Sequence, residues 1–278
     1  MDKFAIFILS KGRPNDQITY KMLRDSGYTG DIRILCDNMD DTIDEYRKNF
    51  GDEVLMFDKV EWSAKSDRIT NEDAYDVLLP ARNAATQVAK DLGYTHYMQM
   101  DDDISRLAHR FVDDEGMLRT VDVTNLDGVL EAMLEFLKIE PIVGLTFGWP
   151  TFYQYGKEGR FKEGLIHDAY TTYMMSVSNP VKFRGNLTED FIGLMDNLRV
   201  GRLLYAVLDI MYLTPDQGSN EGGLQDVYES SGKWMVVIYA LIANPGAVKI
   251  KFRDSGELGI YSDKHLRAPK VLSERWRK

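Results

Sequence analysis

Cysteine is almost absent from this 278-residue chain, which contains Cys36 alone. A single cysteine excludes an intrachain disulfide and a zinc site built on cysteines, so we expect a reducing compartment. Long apolar runs are also absent: WMVVIYALIA at 234–243 has about half the length of a membrane span. The N-terminal FAIFIL is too short for a signal peptide. We therefore expect a soluble cytoplasmic protein that binds no membrane, and nothing indicates an obligate protein partner.

Positive charge is scarce too, because 44 acidic residues outnumber 34 lysines and arginines and give a formal net charge of −10. This excludes a protein that coats nucleic acid through its overall charge. The balance reverses over residues 246–278, which hold nine basic and four acidic residues. This segment is a candidate basic patch, and a merely solvated tail is the alternative. We predict one domain over 1–245, followed by the basic segment 246–278.

The first half alternates short apolar runs with helical patterns. Such alternation indicates βαβ units and a mostly parallel sheet flanked by helices, which is an α/β fold. A helix is predicted over 40–50, and another begins at Pro80 and stops at Gly93. The predicted strands of this half are 4–9, 31–37, 53–58 and 95–100.

Three consecutive aspartates, Asp101, Asp102 and Asp103, follow the fourth predicted strand. In an open α/β sheet, ligands bind beyond the carboxyl ends of strands. Neighbouring carboxylates repel each other, and a divalent cation such as Mg²⁺ or Mn²⁺ removes that repulsion. The alternative is a solvated acidic turn or a helix cap.

The segment LPARNAATQVAKDLGYTHYMQMDDD resembles the stretch of GT-A fold nucleotide-sugar glycosyltransferases in which an Arg-Asn pair opens a helix and the next strand ends in an Asp-x-Asp metal motif. Together with FILSKGRP at 7–14, it resembles the TET-associated glycosyltransferase family. That family is found in phages and is linked to sugar attachment on hydroxylated DNA pyrimidines. The resemblance implies a GT-A fold, a UDP-sugar donor and Mn²⁺ or Mg²⁺.

The resemblance also implies roles for single residues. Asp101 is expected near the donor ribose, and Asp103 on the metal that bridges the diphosphate. Arg82, at a helix start, would favour the anionic donor, and a surface arginine is the alternative. Ser10 and Arg13 follow the first strand and Asp37 ends the second, and for these three residues the alternative is a purely structural role in turns. The predicted donor-binding residues are Ser10, Arg13, Asp37, Arg82, Asp101 and Asp102.

In the second half, helix capping alone would explain NLTED, which opens the helical pattern of 186–201. GT-A enzymes commonly place a Glu-Asp pair there, so the resemblance implies Asp190 as the catalytic base, with Glu189 assisting acceptor placement. A helix is predicted over 126–137. Further strands are predicted at 142–147, 171–177 and 205–213. Residues 1–103 would form the nucleotide-sugar half and 104–245 the acceptor and catalytic half.

The acceptor site is predicted from an aromatic and basic loop at 148–164, whose rings suit stacking on a base or sugar. For this loop the alternative is ordinary packing against the sheet. For Gly222 and Gly223, which would let a ligand approach the backbone closely, the alternative is a simple turn. His265 lies where many GT-A enzymes add a histidine to the metal shell, so the basic segment would complete the active site; an exposed histidine is the alternative. The predicted acceptor-binding residues are Trp149, Tyr153, Gly222 and Gly223.

We therefore predict a metal-dependent, inverting glycosyltransferase that moves a sugar from a UDP-sugar to a hydroxyl of a modified pyrimidine, such as hydroxymethylcytosine, in bacteriophage DNA. It would then work in the host cytoplasm. The alternatives are a protein or glycan acceptor, a nucleotidyltransferase or a non-catalytic binding module. A nucleotidyltransferase typically carries a glycine-rich loop after its first strand, whereas SKGRP contains one glycine. Glucose, N-acetylglucosamine and arabinose stay open as the sugar.

Overall fold

The computed structural model describes residues 3–69, 78–148, 170–215 and 234–245, with side chains of the last segment from residue 238. Within these ranges, nine strands form one sheet. The strands are β1 (Phe4–Leu9), β2 (Asp31–Asp37), β3 (Val54–Phe57), β4 (His96–Asp101), β5 (Arg106–Val112), β6 (Leu118–Asp122), β7 (Ile142–Gly148), β8 (Tyr173–Ser176) and β9 (Leu203–Leu213).

Seven α-helices flank this sheet in the described ranges, and a short 3₁₀ turn, Gly51–Glu53, precedes β3. The helices are α1 (Ile18–Asp25), α2 (Ile43–Phe50), α3 (Lys59–Lys65), α4 (Leu79–Asp91), α5 (Leu126–Ile139), α6 (Glu189–Arg199) and α7 (Trp234–Ala243). The apolar run at 234–243 therefore forms α7. Among the described residues, no helix combines the length and apolar character that a membrane span requires.

The strand order is β3-β2-β1-β4-β8-β7-β9-β5-β6. The first four strands are mutually parallel, and Leu9 at the end of β1 lies beside Asp101 at the end of β4. Strand β8 is antiparallel to both β4 and β7, which makes β7 and its parallel neighbour β9 run in the direction of β4. The carboxyl ends of β1, β2, β4, β7 and β9 consequently meet at one edge of the sheet.

Strand β1 shows why the sheet is covered on both faces. Phe7 and its alternate neighbours pack into a core with the alanine-rich face of α4, while Ile6 and Ile8 pack into a second core with α1 and α5. A strand that serves two cores is apolar at every position, which explains the continuous run FAIFIL. The helices therefore flank, on both faces, the strands that carry the loops after β1 and β4.

The α/β prediction is confirmed, since every strand predicted from an apolar run is present with ends shifted by up to two residues. The hairpin of β5 and β6, paired antiparallel with each other and with β9, was not predicted. Neither was α3. The boundary between 1–245 and 246–278 stays a prediction.

Candidate active site

The aspartate turn is held by its middle member. Asp102 is buried, and its carboxylate accepts a hydrogen bond from Ser10 Oγ at 2.6 Å and a charged hydrogen bond from Arg13 Nη1 at 2.7 Å. Both donors lie in the loop after β1, which is neighbour to β4 in the sheet. The structure therefore brings three predicted donor-binding residues into direct contact. In these contacts Asp102 anchors the turn.

Two residues that sequence reasoning missed complete this network. Tyr46, from α2, has its hydroxyl 2.7 Å from Ser10 Oγ and accepts from the backbone N–H of Arg13 at 2.8 Å. Gln17 donates from Nε2 to Ser10 Oγ at 2.8 Å. Tyr46 consequently ties the loop after β1 to α2, and Gln17, the residue just before α1, ties the end of the loop to its beginning. In the structure, Tyr46 is the buried residue of a helix whose other positions are mostly charged or exposed, and the sequence does not show what its hydroxyl contacts.

Asp37, at the end of β2, lies in a different arrangement. Its carboxylate accepts from the buried Lys59 Nζ at 3.2 Å and from the backbone N–H of Met39 at 2.9 Å. Lys11 Nζ stands 3.8 Å away. The carboxylate thus lies between two ammonium groups at the carboxyl end of the parallel half-sheet. Lys59 was not predicted, because nothing in the sequence indicates that α3 returns to β2.

Arg82 connects the aspartate turn to α6. Its side chain is only 2% exposed, and it donates from Nε to Glu189 Oε1 at 2.9 Å and from Nη2 to Asp101 Oδ1 at 3.2 Å. The guanidinium also lies against the rings of Tyr173 and Phe183, at 5.4 and 5.6 Å from their centroids. One buried cation therefore fixes two acidic residues that are 88 positions apart in the chain.

Burial and crowding change the acid strengths in this cluster. Burial raises the pKa of Asp101 to about 7; Arg82 opposes the increase, and the charge of Asp103 adds to it. Burial likewise raises the pKa of Glu189 against the effect of Arg82, and that of Asp102 against the effect of Arg13. Despite its own burial, Arg82 has a raised pKa because Asp101 and Glu189 stabilise its charge. Arg82 is accordingly a permanent cation.

The predicted acid pair opens α6. Thr188 precedes it in a left-handed conformation with φ of 55°, which is strained for a β-branched residue. The carboxylate of Asp190 accepts from the N–H of Phe191 at 2.6 Å. Burial raises the pKa of Tyr173, and the charge of Asp190 adds to that increase. Glu189 is thus ion-paired with Arg82, whereas Asp190 accepts a hydrogen bond from the backbone at the start of α6.

The carboxylates of the turn can be compared with the ligands that a divalent metal requires. Within the described ranges, no cluster of three or more metal-binding side chains occurs. Asp101 and Asp103 do lie close enough for the charge of one to raise the pKa of the other. Mg²⁺ is usually held by one or two carboxylates together with substrate phosphates, so this donor set fits a site that the substrate completes. The other predicted ligand, His265, lies outside the described residues, as do Trp149, Tyr153, Gly222 and Gly223.

A parallel strand that ends in an acidic turn, with an acid pair linked to that turn by a buried arginine, defines an α/β protein with an acidic site at the carboxyl ends of its parallel strands. The family model of the TET-associated glycosyltransferases matches residues 4–223, and the chain belongs to that family. The resemblance found in the sequence is confirmed. No curated protein sequence matches the chain significantly.

Several solved structures match the chain at low identity and with TM-scores below 0.5. Glucosyl-3-phosphoglycerate synthase from Mycobacterium tuberculosis, in complex with phosphoglyceric acid, is 11% identical with a TM-score of 0.46, covering 91% of this chain and 85% of that one. TarS 1–349 from S. aureus in complex with UDP is 13% identical with a TM-score of 0.45, covering 88% and 66%. A cytidylyltransferase from Leptospira borgpetersenii is 13% identical with a TM-score of 0.34, covering 64% and 62%. The chain thus spans slightly less than two thirds of the last two proteins.

Proposed function

We propose that this protein transfers a sugar from a UDP-sugar to a hydroxyl group of a modified pyrimidine in DNA, with inversion at the anomeric carbon. The observation that carries this proposal is the bridge from Asp101 through Arg82 to Glu189. It joins a turn suited to a nucleotide diphosphate to an acid pair suited to proton transfer. Membership of a glycosyltransferase family supports the reaction class.

The donor would lie across the carboxyl ends of β1, β2 and β4. Arg13 and Ser10 hold Asp102, so their role towards the donor is to fix the loop that the nucleotide contacts. Asp37 and the lysines around it would meet the base and ribose, and Asp101 the ribose. Arg82 is too buried to grip the diphosphate with an exposed guanidinium. Its charge still lowers the cost of bringing an anionic donor to this edge.

The metal would be held by Asp103, together with His265. A bound Mn²⁺ or Mg²⁺ supplies charge neutralisation for the departing UDP. The resemblance to the Asp-x-Asp motif supports Asp103 for this task, while Asp102 is hydrogen-bonded to Arg13 and Asp101 to Arg82. The protein's contribution is to keep these carboxylates at fixed separation before the donor arrives.

Glu189 and Asp190 would have different roles. Glu189 is ion-paired with Arg82 and buried, so it positions the start of α6. Asp190 then acts as general base, removing the proton from the acceptor hydroxyl while the hydroxyl oxygen attacks the anomeric carbon. The bond from that carbon to the diphosphate breaks with its electron pair going to UDP. Attack from the face opposite the leaving group inverts the configuration.

The proposal that the acceptor is DNA is based on the local distribution of basic residues along the chain. A phosphate backbone responds to charges within about one Debye length, ~8 Å at physiological salt, so an acidic protein can still bind DNA through a basic segment. Residues 246–278 carry five more basic than acidic residues, and the 148–164 segment combines lysine and arginine with aromatic rings. Both segments lie mostly or wholly outside the described residues, and their sequences support the proposal.

The test uses the full chain with Mn²⁺, a panel of UDP-sugars and DNA containing either 5-hydroxymethylcytosine or unmodified cytosine. We expect a mass increase of one sugar on the modified DNA, with UDP released in equal amount, and NMR of the product should show inversion. The Asp190→Asn variant is the matched control. Transfer to protein or glycan acceptors in place of DNA would show that the proposed acceptor is wrong while the reaction class holds. Pyrophosphate release from a nucleoside triphosphate and a sugar phosphate would replace the proposal by a nucleotidyltransferase.

A further inference from the structure

Thr19 is a fully buried residue in the first turn of α1, and the proposed function does not use it. Its hydroxyl donates to the backbone carbonyl of Asp101 at 2.6 Å and accepts from the backbone N–H of Ile104 at 2.8 Å. Its own N–H donates to the carbonyl of Asp102 at 3.1 Å. One side chain and its backbone therefore contact both ends and the middle of the aspartate turn.

The position of Thr19 in its helix explains these contacts. N–H groups in the first turn of a helix have no acceptor within the helix, so that of Thr19 is available to Asp102. The carbonyl of Asp101 and the N–H of Ile104 are the two groups that close a four-residue turn. A hydroxyl between them bonds both and sets how wide the turn opens. The width of the turn in turn determines the separation of the carboxylates of Asp101 and Asp103.

We propose that Thr19 is a positioning residue that clamps the aspartate turn and thereby fixes the carboxylate separation needed by the metal and the donor diphosphate. The proposal rests on the proposed function for the identity of that ligand, while the clamp itself is a property of the fold. Backbone contacts suit this role, because they hold the turn without using the carboxylates of Asp101 and Asp103.

The experiment compares three variants of the full chain. Thr19→Val keeps the shape and removes the hydroxyl, Thr19→Ser keeps the hydroxyl, and Thr29→Val is a control at an exposed threonine that also donates a side-chain hydrogen bond. Thr29 donates a hydrogen bond to Asp127 Oδ2 at 2.7 Å near the start of β2, at the opposite sheet edge. Amide exchange of residues 101–104 is measured by mass spectrometry, and Mn²⁺ affinity in the presence of UDP by electron paramagnetic resonance.

We expect Thr19→Val to accelerate amide exchange in the turn and to weaken Mn²⁺ binding by roughly 10- to 100-fold, the usual effect of losing a group that orients metal ligands. Thr19→Ser should restore both, and Thr29→Val should match the wild type. Unchanged exchange or affinity in Thr19→Val would overturn the clamp, as would equal losses in Thr19→Ser or Thr29→Val. A wild-type chain that binds neither Mn²⁺ nor UDP would refute the proposed donor site, and the exchange rates alone would then decide on the clamp.

Discussion

Replacing Arg82 by methionine tests the buried bridge, because methionine fills similar space without charge. The substitution leaves Glu189 buried with no cation in hydrogen-bonding distance and removes the cation that opposes the repulsion around Asp101. Removing one partner of a buried ion pair typically costs about 3 to 5 kcal/mol. At roughly 2 to 4 °C per kcal/mol for a domain of this size, we expect the melting temperature to fall by roughly 6 to 20 °C.

The assay is thermal unfolding followed by circular dichroism, combined with a double-mutant cycle. Glu189→Gln alone should cost less, because glutamine still accepts from Arg82 and Arg82 still pairs with Asp101. The double variant should be less destabilised than the sum of the single variants by about 0.5 to 3 kcal/mol, since the residues contact each other. Additive losses of stability in the double variant would show that removing Arg82 does not leave Glu189 as an uncompensated buried charge. A fall in melting temperature of less than about 4 °C in Arg82→Met would show the same.

The pH dependence of the same variant has a definite sign. Burial raises the pKa of Glu189, and Arg82 counteracts that increase, so removing Arg82 raises this pKa further. A carboxyl whose pKa is raised on folding destabilises the folded state above that pKa, where it is charged, and the penalty disappears as the pH falls through it. The deficit of Arg82→Met relative to the wild type should therefore be larger at pH 7.5 than at pH 5.

Three further predictions concern catalysis and DNA binding. Asp103→Ala should abolish transfer without unfolding the chain, because it removes a metal ligand, and full activity in the variant or in excess chelator would contradict the metal. Asp190→Asn should lower turnover by roughly 10² or more while donor affinity stays nearly constant, because asparagine keeps the contact to the Phe191 N–H but accepts no proton; unchanged turnover would reassign the base. DNA affinity should fall as salt rises, and alanine substitution of three tail residues should flatten that slope, whereas binding insensitive to both would favour a protein or glycan acceptor. The tail residues are Lys270, Arg275 and Arg277.

The sequence was most informative where burial is complete. Strands such as β1 and β4 lie between two helical layers, so their apolar runs are continuous and both ends could be placed within one residue. The hairpin of β5 and β6 gives a weaker signal, because most of β6 is exposed and its residues carry no apolar alternation. Strand β8, inserted antiparallel between β4 and β7, is recognisable as a strand, but its place in the sheet depends on tertiary packing.

The candidate site was predictable to the extent that its residues follow a strand or open a helix. Arg82, Asp101 and Glu189 occupy such positions, and the structure brings them together. Thr19 and Tyr46 were not predictable, because their importance comes from hydrogen bonds to groups that are distant in the sequence. A buried polar side chain within a helix is the trace that such contacts leave, and a single sequence does not show what the side chain contacts.

The three aspartates can now be distinguished by what balances their charges. Asp102 is neutralised by Arg13, and Asp101 shares Arg82 with Glu189. The two arginines therefore offset part of the negative charge of the turn and Glu189, and burial raises the pKa of Asp101. The proposed divalent cation would offset more of this charge when the anionic donor binds. The fold thus tolerates adjacent aspartates by pairing Asp102 and Asp101 with two different arginines, and the proposed metal at Asp103 would add to that compensation.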